Sequence, residues 1–215
     1  MDRQLKYALL MVYSCWPLII AAGIGLAIVT SGMSDVLLLP MGIATVSLHI
    51  IVYGRIISQA VPGRPATNWE ILKEYSRHYL LTAVITGVVF LVPRLLVARL
   101  ASSTGIYYPA SIGVHAALSM LTIYVWPLVF LRRSSVGAIL AGVSYLWSNL
   151  AASVWILVVV SVTQVLHGVG LLVFRTYLSG WSYAVLFSIG VVTAFLLFMS
   201  FAAALHTLLS NRRDS

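Results

Sequence analysis

Acid, base and metal-ligating side chains are scarce in this chain of 215 residues, and their positions limit its chemistry. The carboxylates are Asp2, Asp35, Glu70, Glu74 and Asp214. None falls within the long apolar segments, so the sequence offers no buried carboxylate pair for acid–base catalysis. The H-E-x-x-H, G-x-S-x-G and P-loop patterns are also absent. We therefore expect no catalytic residue, no metal or cofactor site and no enzymatic activity.

Histidines are the next candidates, because ionisable groups at membrane depth are functional by default. His49 falls near the middle of an apolar segment and is a candidate intramembrane polar site. His115 and His167 fall towards the same predicted end of two other segments, and haem b needs two facing histidines at matching depth. The alternative for each histidine is a hydrogen bond to a neighbouring helix.

Three arginines lie on the side that carries few other charges. Arg94, Arg99 and Arg175 can find only Asp35 as a carboxylate partner there. Three cations with one anion predict an anion or lipid-phosphate site formed by these four residues. The alternative is that each arginine extends separately to the lipid headgroups.

The composition shows which kind of scaffold must hold these residues. Hydrophobic residues make up 61% of the chain and charged residues 8%, against about 25% charged in soluble domains. Such a chain cannot coat a soluble globule, so we expect the bilayer to be its solvent. The net charge of +8 is spread over loops, which favours anionic lipids over nucleic acid as partner.

Apolar segments of about 20 residues predict membrane-spanning helices. We predict an all-α polytopic membrane protein with a single transmembrane domain covering residues 1–215. Its six predicted spans are about 7–30, 36–57, 78–101, 109–131, 150–174 and 181–209.

The connection between the second and third spans carries a helix signal. A break at Pro62, Gly63 and Pro65 precedes Thr67 and Glu70, which have capping-box spacing. We expect residues 67–77 to form an amphipathic helix lying flat on the cytoplasmic membrane face. The residues assigned to this helix are Trp69, Glu70, Lys73 and Arg77. A second interfacial segment is predicted over residues 134–149, with an apolar stripe of Val136, Ile139, Leu140, Val143 and Trp147.

The distribution of lysine and arginine predicts the orientation. With the N-terminus inside, ten basic residues lie inside and three outside, which accounts for all 13. The inner ten are Arg3, Lys6, Arg55, Arg64, Lys73, Arg77, Arg132, Arg133, Arg212 and Arg213. Cytoplasmic loops carry such an excess, so both termini are predicted to be cytoplasmic.

The order of these signals resembles a known layout. Tyr53-Gly54-Arg55 is followed by Pro65, by Trp69-Glu70 and by a span that begins near Tyr79, and Ser144, Trp147 and Asn149 precede the fifth span. This resembles prokaryotic six-helix membrane proteins of unknown function and is similar to the membrane domain of glycerophosphodiester phosphodiesterases. The resemblance implies a fold and a location in a prokaryotic inner membrane, but no activity.

Prolines within four predicted spans favour a transport role, since broken helices line sites in membrane proteins. They are Pro17, Pro40, Pro93 and Pro127. We expect a non-enzymatic small transporter or accessory subunit that handles a lipid-like or anionic solute. The alternatives are a module that docks a partner at the cytoplasmic face and a haem-type electron carrier. Membrane lipids, other membrane subunits or a second copy of the chain are the expected partners.

Overall fold

The computed structural model describes residues 2–31, 35–65, 67–101, 107–176 and 180–211, and these ranges are helical with no strand. The helices there are α1 (Asp2–Tyr13), α2 (Trp16–Ser31), α3 (Asp35–Ala60), α4 (Asn68–Ala101), α5 (Tyr107–Leu121), α6 (Val125–Arg132), α7 (Val136–Ser148), α8 (Leu150–Thr176) and α9 (Gly180–Asn211). The predicted all-α class is confirmed for this part of the chain.

Five helical stretches are long and apolar enough to cross a membrane, so the protein is membrane-integral. They are Leu38–Ala60, Asn68–Leu100, Tyr107–Arg132, Leu150–Leu172 and Tyr183–Asn211. A sixth crossing requires α1 and α2 to count as one span, although they meet at 82°. The end of the bundle that holds residues 60–68 is hereafter the inner end, and the opposite end is the outer end.

The first predicted span, 7–30, is not one continuous helix. α1 ends at Tyr13 and α2 begins at Trp16. Pro17 has no N–H to donate to the carbonyl of Tyr13, so the helical ladder fails there. The Cys15 amide bonds the Val12 carbonyl instead, at 3.0 Å, in a turn. α1 packs on α9, and its Gln4 accepts a 2.8 Å hydrogen bond from the Trp155 indole.

The prediction that residues 67–77 form a separate helix lying flat on the membrane is wrong, because these residues belong to the start of α4. Residues 68–101 form one uninterrupted helix of 34 residues, about 51 Å long at 1.5 Å per residue. The capping box is confirmed, since the Glu70 amide donates to Thr67 Oγ1 at 3.3 Å and the Thr67 amide to Glu70 Oε2 at 3.4 Å. No break separates this start from the apolar part of the helix, so it cannot lie flat on a membrane that α4 crosses.

The second interfacial segment does form a separate helix, α7, and part of its predicted apolar stripe faces outward. Val136, Leu140 and Trp147 are exposed. The face towards the bundle is made of smaller side chains and one leucine, at Ala138, Gly142 and Leu146. Val136, Leu140 and Trp147 therefore point away from the protein, whereas Ile139 packs against its core.

The long helix α9 forms the centre of the bundle and packs against α1, α2 and α8. Its inner half is buried, including Phe198 and the run 201–205. Its outer half meets α2 through Gly23 and Gly190, whose backbones lie close together. These two glycines thus allow close helix packing within the chain.

Candidate functional site

The polar interior begins where the fourth predicted span, 109–131, is interrupted. α5 ends at Leu121 and α6 begins at Val125, with a turn between them. The Val125 amide bonds the Thr122 carbonyl at 3.0 Å, a three-residue spacing. Pro127 cannot donate to the carbonyl of Ile123, so the regular ladder is lost on its N-terminal side.

The turn is anchored to α8. Tyr124 is fully buried, and its hydroxyl lies 2.7 Å from Ser153 Oγ. Ser153 Oγ donates its own proton to the Asn149 carbonyl, also at 2.7 Å. The Tyr124 hydroxyl therefore donates to Ser153, and this bond fixes the interruption against the neighbouring span.

A cavity lined by both polar and apolar side chains, hereafter the interior cavity, lies beside the interruption. Its volume is about 130 Å³, which is room for a few waters or the polar part of a small solute. Its polar lining comes from Tyr53, Thr86, Ser119, Thr122, Trp126, Thr163, Gln164 and Ser200. None of the described residues that line it is charged, so it is suited to neutral or singly charged polar groups.

The hydroxyls around the interior cavity are oriented by their own helices. Thr86 donates to the Thr82 carbonyl at 2.8 Å, Thr163 to Val159 at 2.7 Å and Ser200 to Leu196 at 2.8 Å. A hydroxyl has one proton and two lone pairs. With the protons committed to the backbone, these oxygens offer lone pairs to the cavity. These three oxygens are therefore acceptors, and the Tyr53 hydroxyl, the Trp126 indole and the Gln164 amide add O–H and N–H donors to the same lining.

An aromatic cluster lies on the inner side of the interior cavity. Tyr53, which lines the cavity, stacks on Phe201 with ring centroids 4.2 Å apart. Phe130, one turn after Trp126 on α6, contacts Tyr53 at 5.5 Å and Tyr75 at 4.7 Å. The cluster consists of Tyr53, Tyr75, Tyr79, Trp126, Phe130, Phe198 and Phe201. It closes the inner side of the cavity with packed rings.

An ion-pair cluster follows directly beyond the aromatic residues. Glu74 Oε1 lies 2.6 Å from Arg133 Nε and 3.8 Å from Arg64 Nη1. Arg64 also donates to the Leu131 carbonyl at 2.7 Å. Arg133 has a left-handed φ of 52° where α6 ends. This cluster joins the start of α4 to the end of α6 at the inner end.

A second cavity, hereafter the outer pocket, lies at the outer end between α4, α5 and α8. Its volume is about 390 Å³. Arg94 Nε donates to His115 Nδ1 at 3.0 Å, and its Nη2 contacts the same imidazole. Tyr107, Tyr108, Ser111, Gln164 and His167 complete the polar lining. The pocket thus holds a guanidinium surrounded by neutral polar groups.

The outer pocket and the interior cavity are stacked along the same helices. Gln164 on α8 lines both. On α4, Phe90 lines the interior cavity and Arg94, one turn later, lines the outer pocket. On α5, His115 lines the outer pocket and Ser119, one turn later, lines the interior cavity. Four residues of helix correspond to about 6 Å of rise, so the two spaces are about one turn apart.

The structure places two of the four residues predicted to form an anion site. Arg94 and Arg99 are both exposed on α4, and of the two only Arg94 lines the outer pocket. The side chains of Arg175 and Asp35 lie outside what the structure describes. Among the described residues, the carboxylate in an ion pair is Glu74, and Arg94 is in none.

His49 is a buried core residue. Its Nδ1 donates to the Thr45 carbonyl at 2.8 Å, and its ring packs 5.3 Å from Phe198. It lines neither the interior cavity nor the outer pocket. The expected alternative was a hydrogen bond to a neighbouring helix, but Thr45 lies on α3 with His49, so the bond is made within one helix. Tyr53, one turn later on α3, lines the interior cavity instead.

The two outer histidines do share a site. His115 and His167 both line the outer pocket. Arg94 Nε donates to His115 Nδ1, so this ring nitrogen already has a hydrogen-bond partner. In the described ranges, no group of three metal-ligating side chains could hold a metal ion.

The segment at the start of α4 carries its predicted residues on an exposed surface. Trp69 is 75% exposed, and Glu70, Lys73 and Arg77 are exposed with it. None of them lines the interior cavity or the outer pocket.

The sequence analysis did not identify the hydroxyl and amide residues that line the interior cavity. Gln164 is the one carboxamide side chain within the six predicted spans. A polar amide in an apolar helix is costly without partners, so its isolation was a usable signal. The serines and threonines gave none, because they are common in membrane helices and satisfy themselves on the backbone.

Comparison with protein-family models gives no match, and no curated protein or solved structure is significantly similar to the chain. The resemblance to the membrane domain of glycerophosphodiester phosphodiesterases stays a prediction. Function must therefore be argued from the two stacked cavities.

Proposed function

We propose that this protein is a small membrane transporter that takes an anionic solute or lipid headgroup into the outer pocket. The observation that carries the proposal is that Gln164 lines both the outer pocket and the interior cavity. A ligand held by Arg94 can therefore reach the interior with its polar part. The interrupted α5–α6 span supports this, since discontinuous helices line substrate sites in transporters.

The inner end is the closed side in this proposal. A ligand in the interior cavity meets the aromatic cluster first and the Glu74 ion pairs beyond it. Both contacts join α4 to α6, so passage requires these helices to separate at the inner end. The turn between α5 and α6 supplies a place where α6 can move while α5 stays packed on α8. The described arrangement is then the outward-facing state.

The orientation is part of the proposal. Arg64 and Arg133 belong to the end that carries most of the basic residues, which favours a cytoplasmic inner end. Both chain termini are then cytoplasmic, and the outer pocket faces the opposite side. A prokaryotic inner membrane is the location implied by the resemblance in layout.

A partner-docking module is the second candidate, and one observation favours it. At the inner end, Trp69 is 75% exposed at the start of a helix too long for the hydrocarbon core, which is about 30 Å thick. Charged residues accompany it at positions 70, 73 and 77. Such a surface suits a membrane subunit or lipid headgroups.

Solute flux into proteoliposomes tests the transport proposal. Wild-type protein should raise the uptake of small organic phosphates above that of protein-free vesicles. Gln164→Leu keeps the side-chain size but removes the polar group shared by the two cavities, and it should abolish most of this uptake. Val165→Leu, at the adjacent exposed position, is the matched control and should transport normally. Equal uptake with and without protein, across a panel of phosphates and carboxylates, would contradict the proposal.

A further inference from the structure

Resting on the anion site of the proposed function, we infer that the ligand is a small phosphate ester that also carries N–H or O–H donors, such as an amino-alcohol phosphate. The phosphate would occupy the outer pocket, and the donors would enter the interior cavity. Arg94 gives the outer pocket a positive charge, whereas the interior cavity offers hydroxyl acceptors and no charge among its described lining residues.

The outer pocket has the donors that an oxyanion needs. Arg94 Nε and Nη2 reach towards a neutral imidazole rather than towards a carboxylate of the described residues. A guanidinium has five N–H donors, so some remain for a ligand. The Ser111 hydroxyl and the Gln164 amide approach from α5 and α8. Donors from three helices suit a tetrahedral phosphate better than a planar carboxylate, which one arginine fork can satisfy.

The interior cavity has the acceptors that a ligand's donors need. Its Thr86, Thr163 and Ser200 hydroxyls spend their protons on backbone carbonyls of their own helices. Their lone pairs face a space without a charged side chain among its lining residues. That space supplies no cation for a phosphate, whereas its acceptor oxygens can bind an ammonium or hydroxyl group.

The spacing of the two spaces sets the size of the ligand. Arg94 and Phe90 are one turn apart on α4, as are His115 and Ser119 on α5. This rise of about 6 Å matches a phosphate separated from an ammonium or hydroxyl by two or three carbon atoms. The outer pocket, at about 390 Å³, is larger than one phosphate needs and also accommodates the glycerol part of a lipid.

The test compares two probes of equal size on purified protein in detergent. Phosphoethanolamine and n-propyl phosphate differ in the group at the end of the chain, ammonium or methyl. Wild-type protein should bind phosphoethanolamine about tenfold more tightly, because a buried acceptor left without a donor is costly. Thr163→Val keeps the shape and removes one acceptor, so it should narrow this ratio without changing the affinity for inorganic phosphate.

Two arginines on α4 provide a test variant and a matched control for binding of the phosphate group. Arg94→Gln should weaken the binding of every phosphate probe about tenfold or more. Arg99→Gln removes an equal charge outside the pocket and should leave binding unchanged. Dihexanoyl phosphatidylethanolamine distinguishes the two sources: tighter binding than phosphoethanolamine indicates a lipid headgroup, and equal or weaker binding indicates a free solute.

Different results would contradict the ligand inference, the anion site and the transport proposal. Equal affinity for phosphoethanolamine and n-propyl phosphate, with both sensitive to Arg94→Gln, would overturn this inference and leave the anion site intact. Absence of phosphate binding, or binding insensitive to Arg94→Gln, would overturn both the inference and the anion site. Binding as predicted without flux in proteoliposomes would overturn transport alone.

Discussion

Gly23 and Gly190 lie backbone to backbone where α2 crosses α9. A β-carbon on Gly23 would come within 2.8 Å of the Gly190 carbonyl oxygen, and one on Gly190 within 2.6 Å of the Gly23 oxygen. Backbone atoms cannot move aside as a flexible side chain can. We predict that Gly190→Ala forces the helices apart and lowers the free energy of unfolding by about 1–3 kcal/mol, measured by thermal melting in detergent.

The matched control for this prediction is Gly113→Ala. A β-carbon at Gly113, also within a helix, meets nothing within 4 Å. Alanine is favoured over glycine in helices by up to about 1 kcal/mol, so this variant should melt at the same temperature or higher. Equal melting temperatures for the two variants would show that α2 and α9 do not meet at these glycines.

The Glu74–Arg133 ion pair should hold the inner end together. We predict that Glu74→Gln and Arg133→Gln each lower the free energy of unfolding. The double variant should lose less of this free energy than the two single losses added together. The coupling should be on the order of 1 kcal/mol, because the Arg133 side chain is 50% exposed and its charge is partly screened. A double-mutant cycle on thermal stability measures it, with Lys73→Gln as the exposed control.

The same variants also test the role of this pair in closure. If the ion pairs close the inner end, Glu74→Gln should increase the labelling of a cysteine at Ser200 by a thiol reagent applied from the inner side. Ser200 lines the interior cavity beyond the aromatic cluster. Lower stability without any change in labelling would assign the pair a structural role only.

Pro127 should maintain the interruption between α5 and α6. In Pro127→Ala the new N–H can donate to the Ile123 carbonyl and extend the helix. We predict slower hydrogen exchange at residues 122–125, unchanged or higher thermal stability and reduced solute uptake. Pro93→Ala is the control, since Pro93 lies inside an unbroken helix. Exchange at residues 122–125 as fast as in the wild type would contradict this assignment.

The sequence predicted the elements that depend on local signals. Apolar length located the spans, and the capping box at Thr67 and Glu70 located the start of α4. Proline was ambiguous: breaks occur beside Pro17 and Pro127, while Pro40 and Pro93 lie inside continuous helices. Whether a proline breaks a membrane helix depends on neighbouring groups that satisfy the freed carbonyl, and these are set by the tertiary structure.

The candidate site was predictable only in its charged part. Arg94 stood out because a charge within an apolar segment needs a partner, but its partner is His115 on another helix. Pairing of residues 21 positions apart follows from helix packing and rotation, which periodicity alone does not give. The interior cavity depends on the rotation of several helices at once, so its serines and threonines could not be distinguished from those facing lipid.

Labelling of the interior cavity from the outer side tests most directly whether the two cavities are connected. In a Cys15→Ser background, Ser119→Cys places one thiol in the interior cavity beyond Gln164. Sulfonatoethyl methanethiosulfonate, an anionic and membrane-impermeant reagent, should label it from the outer side, and Arg94→Gln should slow the reaction. Ser161→Cys, on α8 outside both cavities, should react much more slowly. Labelling only from the inner side, or no faster than at position 161, would contradict the account.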